Sequence, residues 1–162
     1  MSKFIYQISS IQPISTEEYI KSSYFDETGI IQESCQYVLS DESVQSFDAF
    51  EEFVLSLGGD HYSDYLVVDS AQRFITILPG FKEKWFENTY RQLKELMSQL
   101  TLTDFVDEVK HYEIQRLVAP AFTDFVYEEE NGYPVRLEEF VLSLPTDRSV
   151  SFYVGGLVGM KC

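Results

Sequence analysis

The same seven residues occur twice in this chain of 162 residues. Residues 51–57 read EEFVLSL, and residues 138–144 repeat them letter for letter. The apolar positions of each copy recur at helical spacing, and each copy precedes a turn and an alternating segment typical of a strand. The repeat therefore predicts two related helix–strand units, near residues 46–69 and 134–158. The alternative is two independent amphipathic helices that use common helix formers.

Helical geometry divides both copies into an apolar inner face and a mixed outer face. The first copy places Phe50, Phe53, Val54 and Leu57 inside, and Asp48, Glu51, Glu52 and Leu55 outside. The second copy places Leu137, Phe140, Val141 and Leu144 inside, and Glu138, Glu139 and Leu142 outside. A single exposed leucine is ordinary. We interpret Leu142 in that way, and Leu55 as a contact residue because it lies among acids.

Hydrophobic periodicity predicts the other elements. The predicted strands cover residues 3–9, 30–39, 64–69, 73–78 and 150–158. The predicted helices cover residues 15–25, 46–57, 82–100, 103–117 and 134–144, with a turn at 41–43. Together they predict one α+β domain over residues 1–162. Its mostly antiparallel or mixed sheet has about five strands and carries three to four helices.

Short local signals set several of these boundaries. Ser15 and Glu18 have the spacing of a capping box. Thr103 is the predicted N-cap of its helix, and Pro134 is predicted at the first position of the next helix. The two glycines at 155–156 lie inside the last strand, where they indicate a β-bulge or a close backbone approach.

Charge is the most unusual property of the sequence. There are 27 acids and 12 bases, a net charge of −15, and the 51 residues from Ser22 to Gln72 contain 11 acids and no Lys or Arg. Such a field attracts basic partners and repels nucleic acid. Direct nucleic-acid binding is not expected, because it requires a basic patch that outweighs the rest of the surface. The alternative interpretation of the acidic segment is a surface that only maintains solubility.

The cysteines and the N-terminus bear on localisation. Cys35 and Cys162 are the only cysteines and have no metal-binding spacing. The first residues lack the apolar core of a signal peptide. No segment approaches the roughly 18 consecutive apolar residues of a membrane-spanning helix. We therefore expect two free thiols in a cytoplasmic protein without membrane association.

Catalytic motifs are absent from the sequence: it contains no glycine-rich phosphate loop and no nucleophile elbow. The distant enzymatic alternative is a metal-dependent hydrolase that uses Asp60, His61 and Asp64, with His111 and Glu113 as further ligands. Polar loop residues that cap a strand explain the same segment more simply. We expect no catalysis, no cofactor and no bound metal.

In size and acidity the chain resembles two classes of protein. One is immunity proteins that neutralise nuclease toxins; the other is phage or plasmid DNA mimics that act against restriction or CRISPR enzymes. The leading hypothesis is an inhibitor that occludes a basic protein partner, a nuclease or other nucleic-acid-binding enzyme. The predicted contact residues are Asp48, Glu51, Glu52, Leu55, Asp60 and Asp64.

Overall fold

The computed structural model describes residues 2–28, 35–59, 64–118 and 123–162. The chain divides into two units, which we call the sheet unit (residues 1–82 and 122–162) and the helical unit (residues 83–121). The boundary falls inside a helix, after Lys82. The prediction of one domain over the whole chain stays a prediction.

The sheet unit is built on a mixed sheet. The strands are β1 (Ser2–Ser9), β2 (Tyr37–Val38), β3 (Leu66–Asp69), β4 (Phe74–Ile77), β5 (Phe125–Glu128), β6 (Pro134–Arg136) and β7 (Val150–Lys161). Their order is β3-β4-β7-β1-β5-β6, and β2 also pairs with β7. Strands β1 and β5 are parallel, and the other described pairs are antiparallel. The predicted mixed α+β class is therefore confirmed.

The described residues form more elements than the sequence predicts. The helices are α1 (Ser22–Thr28), α2 (Asp41–Val44), α3 (Ala49–Ser56), α4 (Phe81–Gln99), α5 (Leu102–Phe105), α6 (Glu108–Val118) and α7 (Leu137–Ser143), with a 3-10 turn at Thr16–Glu18. Seven strands and seven α-helices replace the predicted five strands and three to four helices. The two predicted strands at 64–69 and 73–78 form the antiparallel hairpin β3–β4, in which Leu66 pairs with Ile77.

Four predicted boundaries are wrong for local reasons. The capping box of Ser15 forms, but it closes only the 3-10 turn, and α1 begins separately. The predicted turn at 41–43 is the short helix α2. Residues 103–117 form two helices, because Thr101 rather than Thr103 caps α5 and the Asp107 carboxylate accepts from the amides that open α6.

The predicted start of a helix at Pro134 is the fourth boundary that is wrong. Pro134 pairs with Tyr127 as the first residue of β6, and the helix begins only at Leu137. A proline is tolerated there because an edge strand leaves one side of its backbone unpaired. Of the predicted strand at 30–39, residues 30–34 lie outside the described residues, and Tyr37–Val38 forms β2.

One face of the sheet is covered by a continuous row of aromatic rings. In spatial order they are Phe47, Phe4, Tyr6, Phe53, Phe140 and Phe152, with successive centroids between 5.1 and 6.4 Å apart. Phe53 of α3 and Phe140 of α7 occupy the same position in the repeated heptapeptide. The two copies therefore lie on the same face of the sheet and pack against each other through equivalent side chains.

The opposite face carries a second core. Ile5, Phe25, Tyr127, Val158 and Met160 are buried there together. The rings of Phe25 and Tyr127 meet edge to face, 5.9 Å apart, beneath α1. Burial, together with the hydrogen bond between its hydroxyl and that of Tyr24, raises the pKa of Tyr127 to about 12. The sheet is thus buried on both faces, as the alternation of Tyr6 and Ile5 along β1 requires.

A buried amide connects this second face to the surrounding loops. The Gln7 side chain is fully buried; its Nε2 donates to the Glu18 carbonyl (2.9 Å) and to the Glu129 carboxylate. Its Oε1 accepts from the amides of Ile20 and Gly156, both at 3.0 Å. The register of β1 against β7 shifts between Tyr6 and Ile8, which confirms the predicted irregularity at the glycine pair.

The glycines at this irregularity are required by space. A Cβ at Gly155 would lie 2.6 Å from Gln7 Oε1 and 2.9 Å from Ile14 Cδ1. A Cβ at Gly156 would lie 2.9 Å from the Cβ of Tyr19. Only glycine lets the central strand pass this close to the segment that covers it.

The prediction of two free thiols is wrong. Cys35 and Cys162 form a disulfide that joins residues 127 positions apart, and no free cysteine is present. Cys35 stands beside β2, which pairs with the end of β7 and so brings the two cysteines together. Disulfides are rare in the cytosol, so the pair removes one of the grounds for a cytoplasmic assignment. No described helix is long and apolar enough to span a membrane.

Gln7→Leu should lower the free energy of unfolding by about 3 kcal/mol, because it leaves the Ile20 and Gly156 amides without an acceptor in a buried site. Urea unfolding at neutral pH measures the change. Gln72→Leu, at an exposed glutamine, serves as the control and should change stability by less than about 0.5 kcal/mol. Similar losses from both variants would contradict the structural role of the Gln7 amide.

Reduction of the disulfide should destabilise the protein by about 2–5 kcal/mol, because a cross-link across so long a loop restricts the unfolded chain. Thermal unfolding with and without a reductant measures this, and the Cys35→Ser, Cys162→Ser double variant should match the reduced protein. Thiol titration of the unreduced, denatured chain should find no free thiol. Two reactive thiols would contradict the cross-link.

Candidate partner-binding surface

Helix α3 is held on the sheet by its inner face. Phe50, Phe53 and Leu57 are buried, whereas Val54, predicted inside with them, is half-buried. The helix begins at Asp48, whose carboxylate accepts from the amides of Phe50 (2.9 Å) and Glu51 (3.1 Å). This anchoring fixes which residues of the helix point outward.

The outer face of α3 is a stripe with spacing i, i+3, i+7: Asp48, Glu51 and Leu55. Glu51 is exposed, and Leu55 is 66% exposed. Leu55 also lies against the backbone of Gly59, where an added Cβ would be 3.5 Å from its Cδ2. Three of the predicted contact residues are thus brought together on one stripe.

Glu52 does not belong to this stripe. Its side chain is half-buried and near the hydroxyl of Tyr6. Burial raises the pKa of Tyr6 well above its usual value, and the negative charges of Asp124 and Glu52 raise it further. Glu52 therefore lies beside a ring in the middle of the aromatic row, and its substitution would also disturb the core.

Asp48 has a structural partner besides the helix. Its carboxylate lies 3.6 Å from Nη1 of Arg73, the first base after the base-free segment, which runs from Ser22 to Gln72. Arg73 also donates through Nη2 to the carbonyl of Gly155 (2.9 Å), and its ring neighbours are Tyr19 and Phe50. No sequence pattern pointed to Arg73 as part of this surface. Its left-handed backbone (φ 53°) had no sequence signal, because residues other than glycine rarely adopt it.

The other predicted contact residues lie after α3. Asp64 is exposed in the turn before β3, and Asp60 lies outside the described residues. The base-free segment has seven acids with described side chains: Asp41, Glu42, Asp48, Glu51, Glu52, Asp64 and Asp69. Six of them are exposed, and within the described chain only Asp48 forms an ion pair with a base. The acidic field predicted from composition is therefore carried at the surface.

The second copy of the heptapeptide provides an internal comparison. In α7, Leu137, Phe140 and Val141 are buried, so this helix is rotated relative to α3. Its exposed pair is Glu139 and Leu142, the latter 55% exposed, while Glu138 is half-buried. The same letters thus present a different glutamate to solvent in each copy.

Comparison with known proteins provides no relative from which the surface of α3 could be interpreted. No protein-family model, curated protein or solved structure matches this chain. Whatever is inferred about function rests on the geometry and charge of the chain itself.

Of the five residues of the enzymatic alternative, the structure describes only Asp64, His111 and Glu113. Asp60 and His61 lie outside the described residues. His111 and Glu113 belong to the helical unit, where His111 Nδ1 is 3.2 Å from the carbonyl of Phe105 and Glu113 pairs with Lys110. Among the residues that can be described, no three His, Cys, Asp or Glu side chains converge on a common point.

A second acidic cluster lies at the β5–β6 turn, beside an open cavity of about 360 Å³. Glu129 accepts from Gln7, while Glu130 accepts from the Ser9 hydroxyl at 2.6 Å. Burial, together with the charge of Glu130, raises the pKa of Glu128. These neighbouring carboxylates have different partners, so their contacts are those of a structural turn.

Asp48→Ala should lower the free energy of unfolding by about 1 kcal/mol, because two amides at the start of α3 lose their acceptor. Asp48→Asn keeps a capping oxygen and should remain close to the wild type. Glu51→Ala should change stability by less than about 0.5 kcal/mol. Urea unfolding compares all three, and a loss from Glu51→Ala as large as that from Asp48→Ala would show that the outer stripe is structural.

Proposed function

We propose that this protein is a non-catalytic inhibitor that binds a basic protein partner through the outer stripe of α3, formed by Asp48, Glu51 and Leu55, together with Asp64. A nuclease toxin is the first partner class to test, because its nucleic-acid site must attract phosphates and therefore also attracts carboxylates. The observation that carries the proposal is an exposed leucine beside Glu51, an exposed acid that forms no ion pair within the described chain.

The distribution of charge supports this proposal. The sheet unit contains 20 acids and 7 bases, and the base-free segment lies within it. An acidic surface of this kind steers a basic partner during diffusion and speeds association. An inhibitor benefits from rapid association, because it must bind its target before damage occurs.

The exposed leucine supports a defined contact over general attraction. A charged rim around a desolvated apolar residue is the usual arrangement at the centre of a protein interface. A DNA mimic needs spaced rows of carboxylates in place of phosphates, and a leucine among them contributes nothing to that imitation. The described surface of α3 therefore favours an inhibitor with one dedicated partner over a DNA mimic.

The binding test uses purified nuclease toxins of several families and, as a basic protein that is not a nuclease, lysozyme. Glu51→Lys with Asp64→Lys should abolish binding and inhibition of the cognate toxin. The matched control is Glu139→Lys with Asp147→Lys, which changes net charge equally at two exposed acids of the sheet unit. It should retain binding.

Leu55→Ala should speed dissociation about 5- to 30-fold, the equivalent of about 1–2 kcal/mol, because a desolvated anchor is lost. Leu142→Ala is the matched control and should leave the rate unchanged. Equal loss from both charge-reversed variants, or equal binding to lysozyme, would show general charge attraction. Inhibition of several unrelated DNA-binding enzymes would favour the DNA mimic, and no inhibition of any nuclease would overturn the proposal.

A further inference from the structure

Strand β7 is paired along only part of one of its edges. β1 pairs with one edge, while β4 and β2 share the other: β4 pairs with residues 150–153, and β2 with residues 160–161. Between β4 and β2, no described strand lies along residues 155–158. We call this interrupted edge the β7 notch. It lies entirely within the sheet unit.

The backbone of Leu157 faces the β7 notch. The carbonyls of Gly159 and Lys161 accept from the amides of Leu39 and Gln36, both at 2.8 Å, so these carbonyls point toward the edge that β2 occupies. Every second residue of a strand directs its N–H and C=O to the same edge, and Leu157 precedes Gly159 by two. Within the described chain, no backbone group bonds to Leu157 on this edge. Unpaired strand edges of this kind are where a further strand adds.

A cavity of about 320 Å³ opens onto the β7 notch, and Gly156 and Leu157 are part of its lining. Its walls come from opposite faces of the sheet. A Cβ at Gly159 would lie 2.6 Å from Val44 of α2, whereas a Cβ at Gly156 would lie 2.9 Å from the Cβ of Tyr19. The notch is therefore a slot between two covered faces, which is the space that an added strand occupies.

The charges that line the cavity are separated between its walls. Asp41 and Asp48 belong to the wall formed by α2 and the start of α3, whereas Lys21 belongs to the opposite wall and Arg73 to the end beside β4. Two acids and two bases leave no net charge, so the lining favours neither a free anion nor a free cation. A polypeptide fits better, because its backbone brings both a donor and an acceptor to Leu157.

We infer that the β7 notch binds an extended segment of another polypeptide, about three residues long, which adds as a strand between β2 and β4. Since β2 and β4 both run antiparallel to β7, the added strand continues that direction. The N–H and C=O of its middle residue then pair with the C=O and N–H of Leu157. Main-chain bonds of this type provide affinity, and the pockets for alternate side chains provide specificity.

The acidic wall selects the middle residue of the added segment. Directly opposed residues of neighbouring strands place their side chains on the same face, so this side chain lies on the face of Leu157, toward α2 and α3. There Asp41 and Asp48 favour Lys or Arg. Only Asp48 is shared with the outer stripe of α3, and the inference does not depend on a nuclease partner.

The binding experiment follows the Leu157 amide in two-dimensional NMR spectra of the isotope-labelled full chain while the peptide acetyl-Val-Arg-Val-amide is added. The amide proton should move downfield and exchange more slowly, because it gains an acceptor. The same peptide N-methylated at its arginine cannot donate to Leu157 and should bind about 5- to 10-fold more weakly. Acetyl-Val-Glu-Val-amide, which meets the acidic wall with a negative charge, should also bind about 10-fold more weakly.

Two variants test the position of the site. Gln45→Trp fills the cavity from an exposed position and should abolish the shift, whereas Ser46→Trp, at the neighbouring exposed residue outside the lining, should preserve it. The dispersion of the spectra shows whether each variant is folded, and the N-methylated peptide tests the wild type independently of both.

Several outcomes would overturn the inference. A Leu157 amide that resists exchange without peptide would show that the chain itself covers this edge. Equal binding of the N-methylated peptide, or the same shift with free arginine, would show a small-ligand site without strand addition. Unchanged binding to Gln45→Trp would place the peptide elsewhere.

Discussion

The side-chain amide of Gln7 links four parts of the chain at one buried point. It joins the 3-10 turn at Glu18, the backbone of Ile20, the glycine pair of β7 and the β5–β6 turn at Glu129. A buried amide is tolerated only when all its groups are satisfied, and here both ends of the amide are. This requirement fixes the irregular path of β7, which in turn sets the positions of β1 and β4 on either side.

The rotation of the repeated helices follows from what lies beneath them. α3 packs Phe53 against Tyr6, while α7 packs Phe140 against Phe152, and the two phenylalanines also touch each other. Because the two helices pack on the same face of the sheet against different rings, they expose different glutamates. The identical residues 51–57 and 138–144 therefore expose Glu51 and Leu55 in one helix, and Glu139 and Leu142 in the other.

Local patterns predicted what depends on neighbouring residues. The alternation of β1, the capping box at Ser15 and the glycine irregularity in β7 all follow from steric and hydrogen-bonding rules that act over a few positions. The disulfide and the position of Arg73 depend instead on β2, β4 and β7 meeting in one sheet, which periodicity does not reveal. Periodicity also does not reveal that Glu52 lies apart from Asp48, Glu51 and Leu55, because its position depends on the ring of Tyr6 in a distant strand.

The place of β7 in the sheet has a consequence for biosynthesis. β7 lies between β4 and β1 in the sheet but follows the other described strands in the sequence. Ile8 therefore cannot pair with Val154 until the intervening residues have been translated. That interval is on the order of 10 s at ordinary rates of elongation. During it, β1 and β4 lack the strand that lies between them, although β5 can already pair with β1. A newly made chain therefore exposes unpaired backbone groups on β1 and β4, and such strand edges favour aggregation, until β7 is added.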